Sequence, residues 1–154
     1  MTSWHDEGSL GAIELAIDGW LAGFRATNPA IAAVDRGEPG DAERRWYVRM
    51  RGEEKDFTTV WLTLGQRTLR YETYVMPAPE ENPGEVYEYL LRRNEKLVGA
   101  HFSIGLEDAV FLRGELPLAL LDEDELDRVI GSLYAYVEQH FRPMLRIGFA
   151  SRFR

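Results

Sequence analysis

Arg45–Arg51 reads RWYVRMR, Phe57–Leu64 reads FTTVWLTL and Thr68–Met76 reads TLRYETYVM. All three runs are rich in aromatic and β-branched side chains, which suit a pleated, half-buried surface. The first alternates. Trp46, Val48 and Met50 fall on one side and Arg45, Tyr47, Arg49 and Arg51 on the other, as expected of an antiparallel sheet with one wet face. Gly52–Asp56 and Gly65-Gln66 are hairpin-sized breaks, so the three runs form a meander. In the second and third runs both sides carry apolar or aromatic residues. Val60, Leu62 and Leu64 oppose Phe57 and Trp61, and Leu69, Tyr71 and Val75 oppose Tyr74 and Met76, a pattern that calls for a cover over the second face too.

On the N-terminal side, Leu10, Ile13, Ile17, Trp20, Leu21 and Phe24 recur at three- and four-residue steps and predict an amphipathic helix over 9–26, capped by Ser9. Gly19 and Gly23 lie inside it, either at a close contact or simply tolerated, tolerance being the simpler reading. Residues 27–43 contain Pro29, Gly37, Pro39 and Gly40 and read as a connecting loop with room for one helical turn around Ala30 to Val34.

On the C-terminal side, Asn82-Pro83-Gly84-Glu85 predicts a capped helix start. The apolar face that follows is Tyr87, Leu90, Leu91, Asn94 and Leu97, with Gly99 placed to end the helix. Asn94 interrupts that face and reads as a hydrogen-bonded structural amide, because buried polar groups are nearly always paired. Ala100–Leu106 and Ala109–Arg113, joined by Glu107-Asp108, predict a second hairpin, and Leu116–Leu121 continues apolar after Pro117. Asp122 and Glu125 form a capping box before the stripe Leu126, Val129, Ile130, Leu133, Tyr134, Val137 and Phe141, and Pro143 marks an end or a kink.

The chain of 154 residues contains no cysteine, which excludes disulfides and thiolate metal sites and fits a reducing compartment. His5, Asp6 and Glu7 stand where a signal peptide needs positive charge, and no run reaches the roughly 20 apolar residues of a bilayer span. A cytoplasmic protein with no membrane partner is the expectation. The net charge of −8 opposes an extended nucleic-acid surface, which needs cations to replace phosphate counterions.

Candidate chemistry is sparse. His5, His101 and His140 sit in three predicted elements without a two-histidine helical spacing, so neither metal nor cofactor is expected. Asp122-Glu123-Asp124-Glu125 lacks the alternating ligands and glycine of a calcium loop and reads as a helix start that opposes the macrodipole. Ser103 and Ser132 lack an esterase elbow, and no Gly-Lys-Ser/Thr run cradles phosphate. What remains is an arginine and aromatic surface. Tyr47, Arg49 and Arg51 lie on the first run, with Trp61 and either Arg70 or Tyr74 beside them, side-chain types that supply most hot spots in protein binding. Stacking of single-stranded nucleic acid uses the same chemistry, and a solvated face without ligand is an equal reading.

Trp46-Tyr47-Val48-Arg49, Tyr71-Glu72-Thr73-Tyr74-Val75-Met76-Pro77 and Leu90-Leu91-Arg92-Arg93-Asn94 resemble the actinobacterial branch of the YbjN family. So do Gly114-Glu115-Leu116-Pro117-Leu118 and Leu126-Asp127-Arg128-Val129-Ile130-Gly131, so the resemblance runs from about Trp46 to Phe149. The family's other name, bacterial sensory transduction regulator, implies a regulatory role, and its fold resembles type III secretion chaperones. The resemblance implies a small dimeric domain that binds protein or peptide without a cofactor, and it supplies no catalytic residue.

The expectation is therefore an α+β single domain over 1–154, ordered α-βββ-α-ββ-α, with an antiparallel sheet packed by helices. Residues 1–8 form a flexible N-terminus, 44–149 the core and 150–154 a tail. The expected function is a non-catalytic, chaperone-like or regulatory protein- or peptide-binding module, a homodimer whose partner the sequence does not name. The competing reading is an enzyme or small-molecule-binding domain with a polar pocket, for which His101 is the first residue to inspect. Nucleic-acid binding ranks below both.

Overall fold

The computed structural model describes residues 5–38 and 42–153. The first helix, α1, spans Glu7–Thr27. It begins earlier than expected because Asp6, not Ser9, takes the capping position, its carboxylate accepting the Ser9 amide at 2.8 Å. Residues 1–4 of the expected flexible segment lie outside the described residues. Leu10, Ile17 and Leu21 point into the core. A side chain added at Gly19 or Gly23 would meet nothing within 4 Å, so both are tolerated glycines on an open side.

Part of the expected connecting loop is a strand. Ile31–Arg36 forms β1 and pairs antiparallel with β2 (Arg44–Arg51), from Ile31 opposite Met50 to Arg36 opposite Trp46, with a bulge between Ile31 and Ala33. Ala32 and Ala33 carry little strand signature of their own, and a ready neighbour with the right register decides their conformation. Pro39 and Gly40, also assigned to that loop, lie outside the described residues. The meander continues through β3 (Phe57–Leu64) and β4 (Thr68–Met76) as the three runs predict.

After α2 (Pro83–Asn94) come β5 (His101–Ile104) and β6 (Val110–Pro117), the expected second hairpin, then a short 3-10 turn over Leu118–Leu120. The element order is thus α-ββββ-α-ββ-α, one strand more than expected. The six strands form one antiparallel sheet in the order β1-β2-β3-β4-β6-β5. A bulge between Tyr74 and Met76 breaks the alternation of β4, so Val75 and Met76 are both buried and Met76 does not share an exposed face with Tyr74.

Glu85 does not complete a capping box at α2. Asn82 adopts a left-handed backbone (φ 51°), and its side-chain amide donates instead to the Ile147 carbonyl at 3.0 Å. The helix ends at Asn94, well before Gly99, because the Asn94 side chain turns onto β5. It accepts the Phe102 N–H at 2.7 Å and donates to the Phe102 carbonyl at 3.1 Å, the hydrogen-bonded structural role expected of it.

The last helix, α3, spans Glu123–Gly148 and is capped by Asp122, which accepts the Glu125 amide at 2.8 Å. It continues through Pro143 rather than ending there, and the Gly148 carbonyl accepts the amides of Glu80 and Glu81 at 3.0 and 2.9 Å. The segment expected as a tail is tied down. Arg152 pairs with Glu80 at 2.6 Å, and the Ser151 amide reaches the Glu81 carboxylate; Arg154 lies outside the described residues.

All three helices contribute to one core on one face of the sheet, where Trp46, Val48, Val60, Leu62 and Leu69 meet Ile17, Leu21, Val86, Leu126, Leu133 and Met144. The Trp46 ring also anchors a polar seam between β1 and α1. Its Nε1 donates to Asp18 at 2.8 Å, while Arg36 stacks over the ring and bonds Glu14 and Asp18 at 2.6 and 3.0 Å. Hydrogen bonding from Arg36 and Arg44 holds the Glu14 carboxyl below its ordinary pKa.

Thr58, fully buried on the core side, has no partner for its hydroxyl among the described residues. Thr58→Val keeps the shape and removes the stranded group, so it raises stability by about 1 kcal/mol in chemical denaturation. Asn94→Ala leaves two backbone groups of β5 open. It lowers stability by about 1–3 kcal/mol in the same assay, and a wild-type midpoint for this variant would show that the clamp carries no load.

Candidate functional site

The helix-free face of the sheet is built by register. Because directly opposed residues of neighbouring strands point the same way, Tyr47 and Trp61, which pair across β2 and β3, share this face with Glu72, Arg113 and His101 further along the same row. Tyr47 and Trp61 meet edge to face with ring centroids 6.1 Å apart. Arg49, next along β2 on this face, lays its guanidinium 3.8 Å from the centroid of Phe57. These four side chains form one continuous aromatic and arginine patch. Arg51 stands apart. Its guanidinium reaches the Pro29 carbonyl at 3.5 Å, and its own carbonyl accepts the Tyr134 hydroxyl at 2.8 Å, which ties the end of β2 to α3.

Of the four residues expected at a binding surface, the structure brings Tyr47, Arg49 and Trp61 together, and it adds Phe57. The expected cover over this face is absent from the described chain. Trp61 and Tyr47 are half-buried by each other and by neighbouring side chains, not by a helix. Of the two flanking candidates, Arg70 is held by Glu43 at 3.1 Å, and Tyr74 packs edge to face on Phe111 at 5.7 Å. Phe111 and Arg113 could not be placed here from the sequence. They arrive through pairing of β4 with β6, residues distant in the chain.

The two halves of the face differ in electrostatics. Toward β6, each arginine has a carboxylate: Arg45 and Arg70 share Glu43, at 2.7 and 3.1 Å, and Arg113 binds Glu72 at 2.7 Å. They rim a shallow depression of about 530 Å³ together with Thr63 and Glu115. Gly114 lies at its floor, and a side chain there would project to the core side and collide with the Tyr71 ring and the Gly99 carbonyl. Toward β2, Arg49 is held by an aromatic ring. Lys55, at the rim, donates to the Tyr74 carbonyl at 3.1 Å and lies over the Tyr74 ring, and burial pushes its pKa down. The face as a whole carries Arg45, Arg49, Arg51, Arg70 and Arg113 against Asp35, Glu43, Glu72 and Glu115, five cations to four carboxylates in a chain of net charge −8.

The histidines are dispersed. His5 lies beside Ser9, and His101 is exposed on β5 opposite Arg113. No group of three or more possible metal-ligating side chains occurs among the described residues. The acidic run is a helix start: Asp122 caps α3 and Glu125 pairs with Arg128. No helix among the described residues is long and apolar enough to cross a membrane.

His140 is buried on the core side, where its Nδ1 lies 2.9 Å from the Tyr89 hydroxyl and its ring meets Tyr89 and Phe102 edge to face. Burial, followed by the nearby Arg93 cation, lowers its pKa below the ordinary imidazole value of about 6.5. Above pH 6.5 neither folded nor unfolded imidazole holds the extra proton. As pH falls through that value the unfolded chain takes one up before the native chain does, so stability drops and levels off below the folded pKa. Thermal melts from pH 7.5 to 5 test this: His140→Gln flattens the acid-side slope, and an unchanged slope would assign it to carboxylates instead.

Three comparisons bear on this architecture. The sequence model of the YbjN family, described as a putative bacterial sensory transduction regulator, matches residues 6–146. Uncharacterised proteins of Mycobacterium tuberculosis and Mycobacterium bovis are each 35% identical over 113 residues, 73% of this chain and 62% of the relative. One from Mycobacterium leprae is 34% identical over 111 residues, 72% of this chain and 60% of the relative. The chain thus spans less than two thirds of the length of these relatives. Among solved structures, a chain of the heterodimeric complex ExoU-SpcU from the type III secretion system of Pseudomonas aeruginosa is similar. It has a TM-score of 0.48 and 19% identity, covering 83% of this chain and 96% of that one.

Proposed function

This chain belongs to the YbjN family, and from that premise we propose that it is a non-catalytic regulatory or chaperone-like module that holds a protein or peptide partner on the open face of its sheet. The observation that carries this reading is the patch of Tyr47, Trp61, Arg49 and Phe57 on a broad face that no helix among the described residues covers. Aromatic and arginine side chains held rigid by a sheet lose little conformational freedom on binding, which is why they dominate hot spots. The local excess of cations in an acidic chain favours a partner segment that places carboxylates beside apolar side chains. A shallow depression whose arginines are already paired with carboxylates suits a macromolecular surface better than an enclosed small substrate.

We infer further that residues 1–154 act as one unit in the cytoplasm and that two copies associate as a homodimer. The partner test is affinity capture with the full chain, quantified by mass spectrometry. Wild type is compared with Arg49→Glu, Trp61→Ala and, on a different surface, Leu120→Glu. Proteins retained by wild type and Leu120→Glu but reduced about tenfold or more by both patch variants are the expected result. An identical set of captured proteins across all four samples rules out this face as the binding surface.

A further inference from the structure

Along β2 the open face alternates cation and ring. Arg45, Tyr47 and Arg49 point outward at every second residue, about 6.6 Å from one to the next. The two cations are held differently. Arg49 lies over the Phe57 ring, and none of the ion pairs among the described residues includes it. Arg45 is neutralised from within the chain. Glu43, one residue before β2, places its carboxylate between Arg45 and Arg70, at 2.7 and 3.1 Å.

Register brings those two arginines together. Arg45 stands opposite Thr63 and Thr63 opposite Arg70, so both guanidiniums rise on the same side of the sheet with a short threonine side chain between them. The Arg45 Nε donates to the Thr63 hydroxyl at 3.1 Å, which fixes that side chain. Two neighbouring guanidiniums favour a bridging carboxylate, and Glu43 marks where it sits. Its hold is exchangeable. The side chains of Glu43 and Arg70 are 49% and 58% exposed, and an ion pair so open to water is weak.

An extended segment laid along β2 has the same two-residue repeat as the strand beneath it. A side chain packed on the Tyr47 and Trp61 rings therefore puts the positions two before and two after it over the Arg45–Arg70 pair and over Arg49. The complement of this surface is acidic-x-apolar-x-acidic. That pattern is the same read from either end, so it fits whichever way the segment runs.

We propose that the Arg45–Arg70 pair is a carboxylate-binding seat, held by Glu43 in the free chain, and that the partner segment displaces Glu43 with an acidic residue two positions from the apolar residue on Tyr47 and Trp61. A second acid, two positions further on from that apolar residue, meets Arg49. This rests on the reading of the helix-free face as the partner surface, and it adds the sequence pattern selected there and an internal competitor that sets the affinity.

Fluorescence anisotropy of a labelled peptide, Ser-Ser-Glu-Ser-Phe-Ser-Glu-Ser-Ser, titrated with the full chain up to about 1 mM tests it. The control is the isomer Ser-Ser-Ser-Glu-Phe-Glu-Ser-Ser-Ser, whose acids point away from the sheet when its phenylalanine faces it. The first peptide binds about fivefold or more tighter than the isomer. Glu43→Gln removes the competitor and tightens the first peptide about three- to tenfold, a gain that a damaged fold would not produce, and Arg70→Gln weakens it by a similar factor. Equal affinity for the two peptides, no binding of either, or a Glu43→Gln chain that binds no tighter overturns the seat. A single-stranded oligothymidylate that displaces the first peptide at lower concentration overturns it in favour of nucleic acid. The partner face is judged separately: if Trp61→Ala still loses its captured proteins when the peptides fail, the face stands without this seat.

Discussion

Burial of one sheet face under all three helices is the constraint on which the rest of the structure depends. It requires Trp46, Val48 and Met50 to point the same way, and a slip of one residue in β2 would put three arginines and a tyrosine into the core. Register is therefore strongly specified. Once it is set, the opposite face of each strand is committed to solvent or to a partner, and the Tyr47–Trp61 and Arg49–Phe57 contacts follow from which residues stand opposite each other. The candidate site is the reverse side of the core.

A six-stranded open sheet leaves two edges, and each is blunted in a different way. At β1 a bulge between Ile31 and Ala33 interrupts the ladder, and Arg36 is drawn to the carboxylates of α1. At β5 the side chain of Asn94 stands in for a neighbouring strand. These devices remove the simplest route to edge-to-edge aggregation.

Much of the architecture was legible in the chain because it rests on local rules. Alternation in Arg45–Arg51, hairpin-sized breaks after it and the stripe from Leu126 to Phe141 specify the meander and the long helix without reference to anything distant. Asn94 was legible for a different reason: a polar amide on an apolar face needs partners wherever it is buried. The sequence marks the start of α2 at Asn82-Pro83 correctly but not its capping contact, while the boundaries at Ser9 and Gly99 shift because Asp6 and Phe102 offer competing hydrogen bonds.

Local pattern in the chain is enough for the α+β class, the order of the strongly patterned elements and the wet side of β2, and shared motifs are enough for the family. Tertiary structure alone decided that Ile31–Arg36 is a strand, since two alanines have no preference strong enough to outweigh a pairing partner. It decided that Phe111 and Arg113 stand beside Tyr74 and Glu72, because the β4–β6 pairing joins residues that no local pattern connects. It also decided that His140 is buried and that no helix among the described residues covers the second face of β3. Burial is a property of what packs against a residue, and that information is distributed over the whole chain.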